Sequence, residues 1–338
     1  GNSNYYTDLY KRIKEAVDKA ALYVSKHFHK KQILRDPYIL CLKQAPGCEL
    51  FYRKHDIAMM MVYTIEEPEV VNHPYLRRIR KHSEKFCNKI YKKWSVSPVG
   101  NIAPESYASF AYYHLENKKM AEELQKAYKP EYKGWIHPRQ YSGAWFWRKV
   151  YDESWPVMAL ARHNIDFDFL KPTIDNHIKF AKQILSGKSM GPKNDSAITA
   201  TLFVELVKIY ETGFYKKQMK KYFPLMKKLY YFLVKNDLKV FKKQGKGGGV
   251  ALLFYLNYGK HFHYPKNEEM FFRIVEKFLD SQNADGSWYK QEEGDAYEKA
   301  GYHRKTGIVL GALGGMHLLV KFKNKILSKY LSDTSFHR

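Results

Sequence analysis

Apolar positions recur three and four residues apart along most of the chain. In MFFRIVEKFLDSQ, residues 270–282, Phe271, Ile274, Val275 and Phe278 share one face of a helix and the charged residues lie opposite. The same period predicts helices near 7–28, 55–66, 73–93, 104–128, 150–163, 168–186, 195–213, 216–235, 248–259, 266–282, 303–321 and 322–331. Glycine- and proline-rich breakers separate them, among them SGKSMGPKND at 186–195, KKQGKGGG at 242–249 and HYPKNEE at 263–269. No segment alternates as a strand does. About a dozen helices with mostly short connections and one longer insertion near 129–149 predict a single all-α domain over residues 1–338. Helix pairs recur at intervals in the second half, the mark of a helical-hairpin array. Apolar helices continue almost to the last residues, so the array is expected to close rather than end in polar capping repeats.

One stretch adds to this picture. In FLDSQNADGSWYKQ, residues 278–291, an amphipathic segment stops and Gln282, Gly286 and Trp288 follow. The spacing resembles the "Q, three residues, Gly, any residue, Trp" motif of the terpenoid-cyclase and prenyltransferase α/α-toroid superfamily. That resemblance implies a single α/α toroid of about twelve helices. It also implies that Gln282 bridges helix ends, Gly286 permits a tight turn and Trp288 packs over it. Related turns recur in toroid enzymes that act on polysaccharides. The resemblance covers the second half best.

The superfamily's chemistries can be compared with the residues present. A terpenoid cyclase needs an acidic aspartate among further aspartates. In PKNDSAITA, residues 192–200, Asp195 has Lys193 and Asn194 beside it instead, and Asp195 or Ser196 is expected to cap the following helix. Prenyltransferase zinc ligands are missing, since Cys41, Cys48 and Cys87 all precede residue 90, and PGCELF at 46–51 lacks the glutamine of a thioester. His27/His29 and His261/His263 stand two residues apart, a spacing that points the rings of a helix apart rather than toward one metal. No metal and no cofactor are expected.

Charge narrows the partner. Lys and Arg number 58 against 34 Asp and Glu, a net +24, which attracts polyanions. No helix-turn-helix, zinc-finger or RNA-binding signature accompanies the charge, so nucleic acid is not favoured. The longest apolar run, TGIVLGALGGMHLLV at 306–320, is too short for a membrane span. The opening residues, GNSNYY, lack a methionine, which leaves room for a preceding export segment and a periplasmic or extracellular location.

The densest polar-aromatic segment is KGWIHPRQYSGAWFWRKVYDESWP, residues 133–156, which holds four of the six tryptophans. Flat rings stack on sugars and arginine pairs with carboxylate or sulfate. His137, Arg139, Trp145, Trp147, Arg148 and Trp155 are therefore expected substrate-binding residues, joined by Arg304 from GDAYEKAGYHRKTG at 294–307. The two segments are expected to line one mouth. Tyr151, Glu153, Asp195, Tyr302 and His303 are the candidate catalytic groups. The expected function is that of a carbohydrate-active enzyme on an acidic polysaccharide. As a lyase, Arg139 or Arg148 would neutralise a uronate while Tyr151, Tyr302 or His303 moves the proton. As a hydrolase, Glu153 and Asp195 would flank the bond. A terpenoid-cyclase-like apolar pocket and a non-catalytic carbohydrate-binding scaffold are the alternatives.

Overall fold

A computed structural model describes residues 2–27, 60–94, 112–127, 148–244, 262, 267–288 and 304–331. The longer helices are α1 (Asn2–His27), α3 (Arg77–Trp94), α4 (Lys118–Ala127), α5 (Arg148–Ala161), α6 (Phe167–Leu185), α7 (Pro192–Glu211), α9 (Phe223–Gln244), α10 (Asn267–Asp280) and α11 (Arg304–Tyr330). Two short ones, α2 (Pro68–Val71) and α8 (Lys216–Met219), complete the order. Every regular element among the described residues is helical, so the all-α class holds. The described residues fall into two compact units, one drawn from 1–84, 237–256 and 265–338, the other from 85–236 and 257–264.

In the first unit α1 lies along α11. The buried positions Leu9, Ile13, Ala16, Val17, Ala20 and Val24 recur at helical spacing and supply the apolar face of α1. Tyr6 near its start stacks on Tyr330 at the end of α11, with centroids 4.0 Å apart, so the two helices run antiparallel. Tyr5 donates to Glu276 at 2.8 Å and Arg12 to Asp280 at 2.7 Å, which ties α1 to α10 as well. Helices were expected at 303–321 and 322–331, with a break between them. The structure has one helix instead, because Phe322 and Ile326 keep the apolar period across the lysines at 321, 323 and 325.

The Gln282–Trp288 turn closes α10 in this unit. Gly286 sits at φ 94°, and a Cβ there would run into the Lys19 carbonyl, so only glycine fits against α1. The Asp285 carboxylate accepts from the Ser287 N–H at 2.9 Å and the Ser287 hydroxyl at 2.6 Å. Trp288 stacks on Phe278, with centroids 4.6 Å apart and planes within 8°, and its indole N–H donates to the Phe278 carbonyl at 3.0 Å. Glycine at 315 on α11 leaves room for the indole, since a Cβ there would come within 2.6 Å of it.

In the second unit α5, α6 and α7 pack against one another as successive hairpins. Asn164 takes φ 54° in the α5–α6 connection, a conformation asparagine tolerates better than most residues. Asp166 caps α6 by accepting from the Asp168 N–H at 3.2 Å. The α7 helix begins at Pro192, three residues before the expected start, because proline at the first helical position has its φ preset and lacks only an N–H that would go unpaired there. Beyond α7, Phe203, Tyr230 and Phe262 form a ring cluster with centroids 5.4–5.8 Å apart.

Candidate functional site

The C-terminal ends of α5 and α7 open a cleft of about 400 Å³ in the second unit. Met158 and Arg162 come from the end of α5, Lys208, Glu211 and Thr212 from the end of α7, and Tyr112 and Phe214 from the adjoining segments. Both helices present their ends to the same space, so they run in the same direction, with α6 returning between them in sequence.

Arg162 organises this cleft. Its guanidinium lies 4.4 Å from the centroid of the Tyr112 ring and donates to the Tyr112 hydroxyl at 2.6 Å. It also pairs with Glu116, and the neighbouring His163 donates to the Leu115 carbonyl. These contacts fix residues 112–116 against the end of α5. Gly213, at φ 79°, turns the chain after α7 and leaves Phe214 51% exposed at the rim. Anchorage follows at once, since the Tyr215 hydroxyl donates to the Ile165 carbonyl at 2.6 Å. The cleft thus offers two cations and an open aromatic face, with the exposed carboxylate of Glu211 among its lining.

Behind the cleft lies a closed polar cluster. Glu205 stands one helical turn before Lys208, and Ser154 one turn before Met158, so both sit deeper along the same helix faces. Glu153, Ser154, His177 and Glu205 are all fully buried. His177 Nδ1 lies 3.0 Å from each carboxylate oxygen of Glu205, and its Nε2 lies 3.5 Å from Glu153, a weaker contact. Burial opposes charge on the imidazole, but the adjacent Glu205 and Glu153 carboxylates overcome it and raise its pKa to about 9. For Glu205 burial prevails over the attraction of His177, and its carboxyl is pushed up from the usual range. The cluster ties α5, α6 and α7 together immediately behind the cleft.

The expected site residues take several positions. Glu153 belongs to this interior cluster and faces no opening. Asp195 lies in the first turn of α7, where its carboxylate accepts from the Ser189 hydroxyl at 2.5 Å and the Met190 N–H at 2.7 Å and so fastens the connection from α6. Trp155 is half-buried on α5, edge-on to Tyr112 with centroids 5.0 Å apart, so it supports the cleft from behind. Arg148 and Tyr151 belong to the first two turns of α5, and Arg304 opens α11; their side chains lie outside the described residues. His137, Arg139, Trp145, Trp147, Tyr302 and His303 lie outside the described residues altogether, and with them the shared mouth expected of 133–156 and 294–307.

Sequence reasoning missed Tyr112, Arg162, Lys208 and Phe214, which are scattered and individually ordinary. A signal existed for Glu205, a lone acid among Phe203, Val204, Leu206 and Val207, since a carboxylate inside an apolar run must find a partner. Among the described residues no three His, Cys, Asp or Glu side chains converge as a metal site. No described helix is long and apolar enough to cross a membrane. No family model, curated protein or solved structure matches the chain.

Proposed function

We propose that this protein acts on an acidic polysaccharide and that the cleft at the ends of α5 and α7 holds one of its sugars. The observation that carries this reading is Arg162, held against the Tyr112 ring and hydroxyl with Lys208 and the exposed Phe214 in the same cleft. A carboxylate or sulfate would pair with Arg162 and Lys208, while the sugar face would rest on Phe214. Glu116 already shares Arg162, so an incoming anion has to compete with it.

Of the two mechanisms, the lyase fits this cleft better. A uronate carboxylate neutralised by Arg162 acidifies the neighbouring C–H. Glu211, the exposed carboxylate lining the cleft, would take that proton as the C=C bond forms and the glycosidic C–O bond breaks; the leaving oxygen then picks up a proton. The hydrolytic alternative would need Glu153 and Asp195, which are occupied by His177 and by the α6–α7 connection. The α/α-toroid arrangement over 1–338 is part of the same proposal. Its support is the Gln282–Trp288 turn together with the parallel α5 and α7 on either side of α6 in sequence. Incubation with uronate polysaccharides tests the activity: the expected result is new ultraviolet absorbance from an unsaturated product, lost in Glu211→Gln. Reducing ends that appear without that absorbance would point to hydrolysis instead.

A further inference from the structure

The segment from Thr212 to Asn236 contains seven lysines and not one acidic residue. Lys216, Lys217, Lys220, Lys221, Lys227, Lys228 and Lys235 are all exposed. Helix α8, the single turn at 220–222 and α9 follow one another without a gap, so these positions recur on one side of a nearly continuous helical rod. Its opposite side, with Tyr215, Met219, Tyr222, Met226, Leu229, Tyr230 and Leu233, is buried. The result is a lysine-lined face that runs from 216 to 235. Several cations elsewhere do have acids beside them, as in Arg12–Asp280, Arg80–Glu84 and Lys171–Asp175. None of the seven ridge lysines forms an ion pair among the described residues. The ridge begins two residues beyond Phe214, which stands in the cleft.

Resting on the acidic-polysaccharide reading of that cleft, we infer that the 216–235 ridge is an extended subsite for the same polymer, so that the ligand is a linear polysaccharide with carboxylate or sulfate groups on successive sugars. Charge complementarity selects a polyanion. A lipid surface fits poorly, since the apolar side of this rod is already packed in the core and has nothing to insert. Single-stranded nucleic acid binding relies on exposed stacking platforms, whereas the rings within 216–235 are buried or half-buried. Separate point charges along a line suit a chain whose charges repeat and whose contacts are individually weak.

The test compares the intact protein with Lys220→Gln/Lys221→Gln/Lys227→Gln/Lys228→Gln, substitutions that keep good helix formers at exposed sites. Binding is measured for a trimer and a dodecamer of galacturonate, and for heparin oligosaccharides of matching sizes as the sulfated arm. The dodecamer of at least one series is expected to bind at least tenfold more tightly than its trimer, with the gap shrinking at raised salt and collapsing in the variant while the trimer is unchanged. A gap that survives in the variant, or no gap in either series, overturns the inference. Tighter, variant-sensitive binding of a single-stranded oligonucleotide of equal charge, or of phosphatidylserine vesicles, also overturns it. A dodecamer that binds through the ridge while Arg162→Ala leaves trimer and dodecamer untouched supports the ridge and removes the cleft.

Discussion

The side-chain amide of Gln282 donates to the main-chain carbonyl of Ala16 at 2.9 Å, joining the end of α10 to the middle of α1. The same nitrogen lies 3.1 Å from the Gly286 carbonyl, so one amide fastens both the turn and its docking surface. Gln282→Ala removes both bonds and is expected to cost about 1–3 kcal/mol. Trp288→Ala, which also empties the space over Phe278, is expected to cost about 3–5 kcal/mol. Denaturant unfolding measures both; equal and negligible losses would refute the docking.

Two glycines with nearly the same backbone separate conformation from contact. Gly187 has φ 96° and open space where a methyl group would go, whereas Gly286 has φ 94° and the Lys19 carbonyl in the way. Gly187→Ala should therefore cost about 1 kcal/mol, the penalty of the left-handed conformation alone. Gly286→Ala should cost several times as much, because the turn must leave α1. Matched melting temperatures for the two variants would contradict this.

The buried cluster makes stability depend on pH in a definite direction. His177 holds its proton more tightly in the folded state than its ordinary value of 6.5 implies, so its stabilisation is complete below 6.5 and fades as pH climbs through about 9. Glu205 is also raised, so its ionisation adds a loss with rising pH rather than offsetting it. Melting temperature should fall between pH 6.5 and 9. The slope should flatten in Glu153→Gln/Glu205→Gln, where the imidazole has no carboxylate to hold its charge. An unchanged slope in that variant would assign the pH dependence elsewhere.

In the cleft, Glu116 and a bound anion compete for Arg162. Glu116→Gln is expected to tighten binding of a galacturonate trimer by roughly two- to fivefold, the worth of a partly exposed ion pair. Arg162→Ala should abolish it, and Arg162→Lys should restore only part, because lysine lacks the planar fork. Calorimetric titration distinguishes these outcomes; tighter binding in Arg162→Ala would exclude the guanidinium as the anion's partner.

How much of this was legible depended on how locally each feature is encoded. The Gln282–Trp288 turn reads directly because its partners Phe278 and Gly286 lie within a few residues, although its docking on Ala16 and Lys19 does not. The helices read well wherever one face is apolar. Two of the boundaries that moved did so for nameable reasons: Pro192 starts α7 early, and Phe322 with Ile326 carries α11 past its lysines. The cleft was opaque because Tyr112, Arg162, Lys208 and Phe214 share no local pattern and meet only through the ends of α5 and α7. The aromatic insertion drew attention by composition, and of it the structure places Trp155 next to the cleft, behind Tyr112.

The pairing of α1 with α11 has a bearing on synthesis. About 280 residues separate the end of the first helix from the start of the other, so at ordinary ribosomal speed α1 waits roughly 15–55 s for its partner to be translated. The core of α5, α6 and α7 is assembled from adjacent stretches of chain and has no such delay. During that interval the apolar stripe from Leu9 to Val24 is without the helix that covers it, which makes the nascent N-terminal segment the natural client for a holding chaperone.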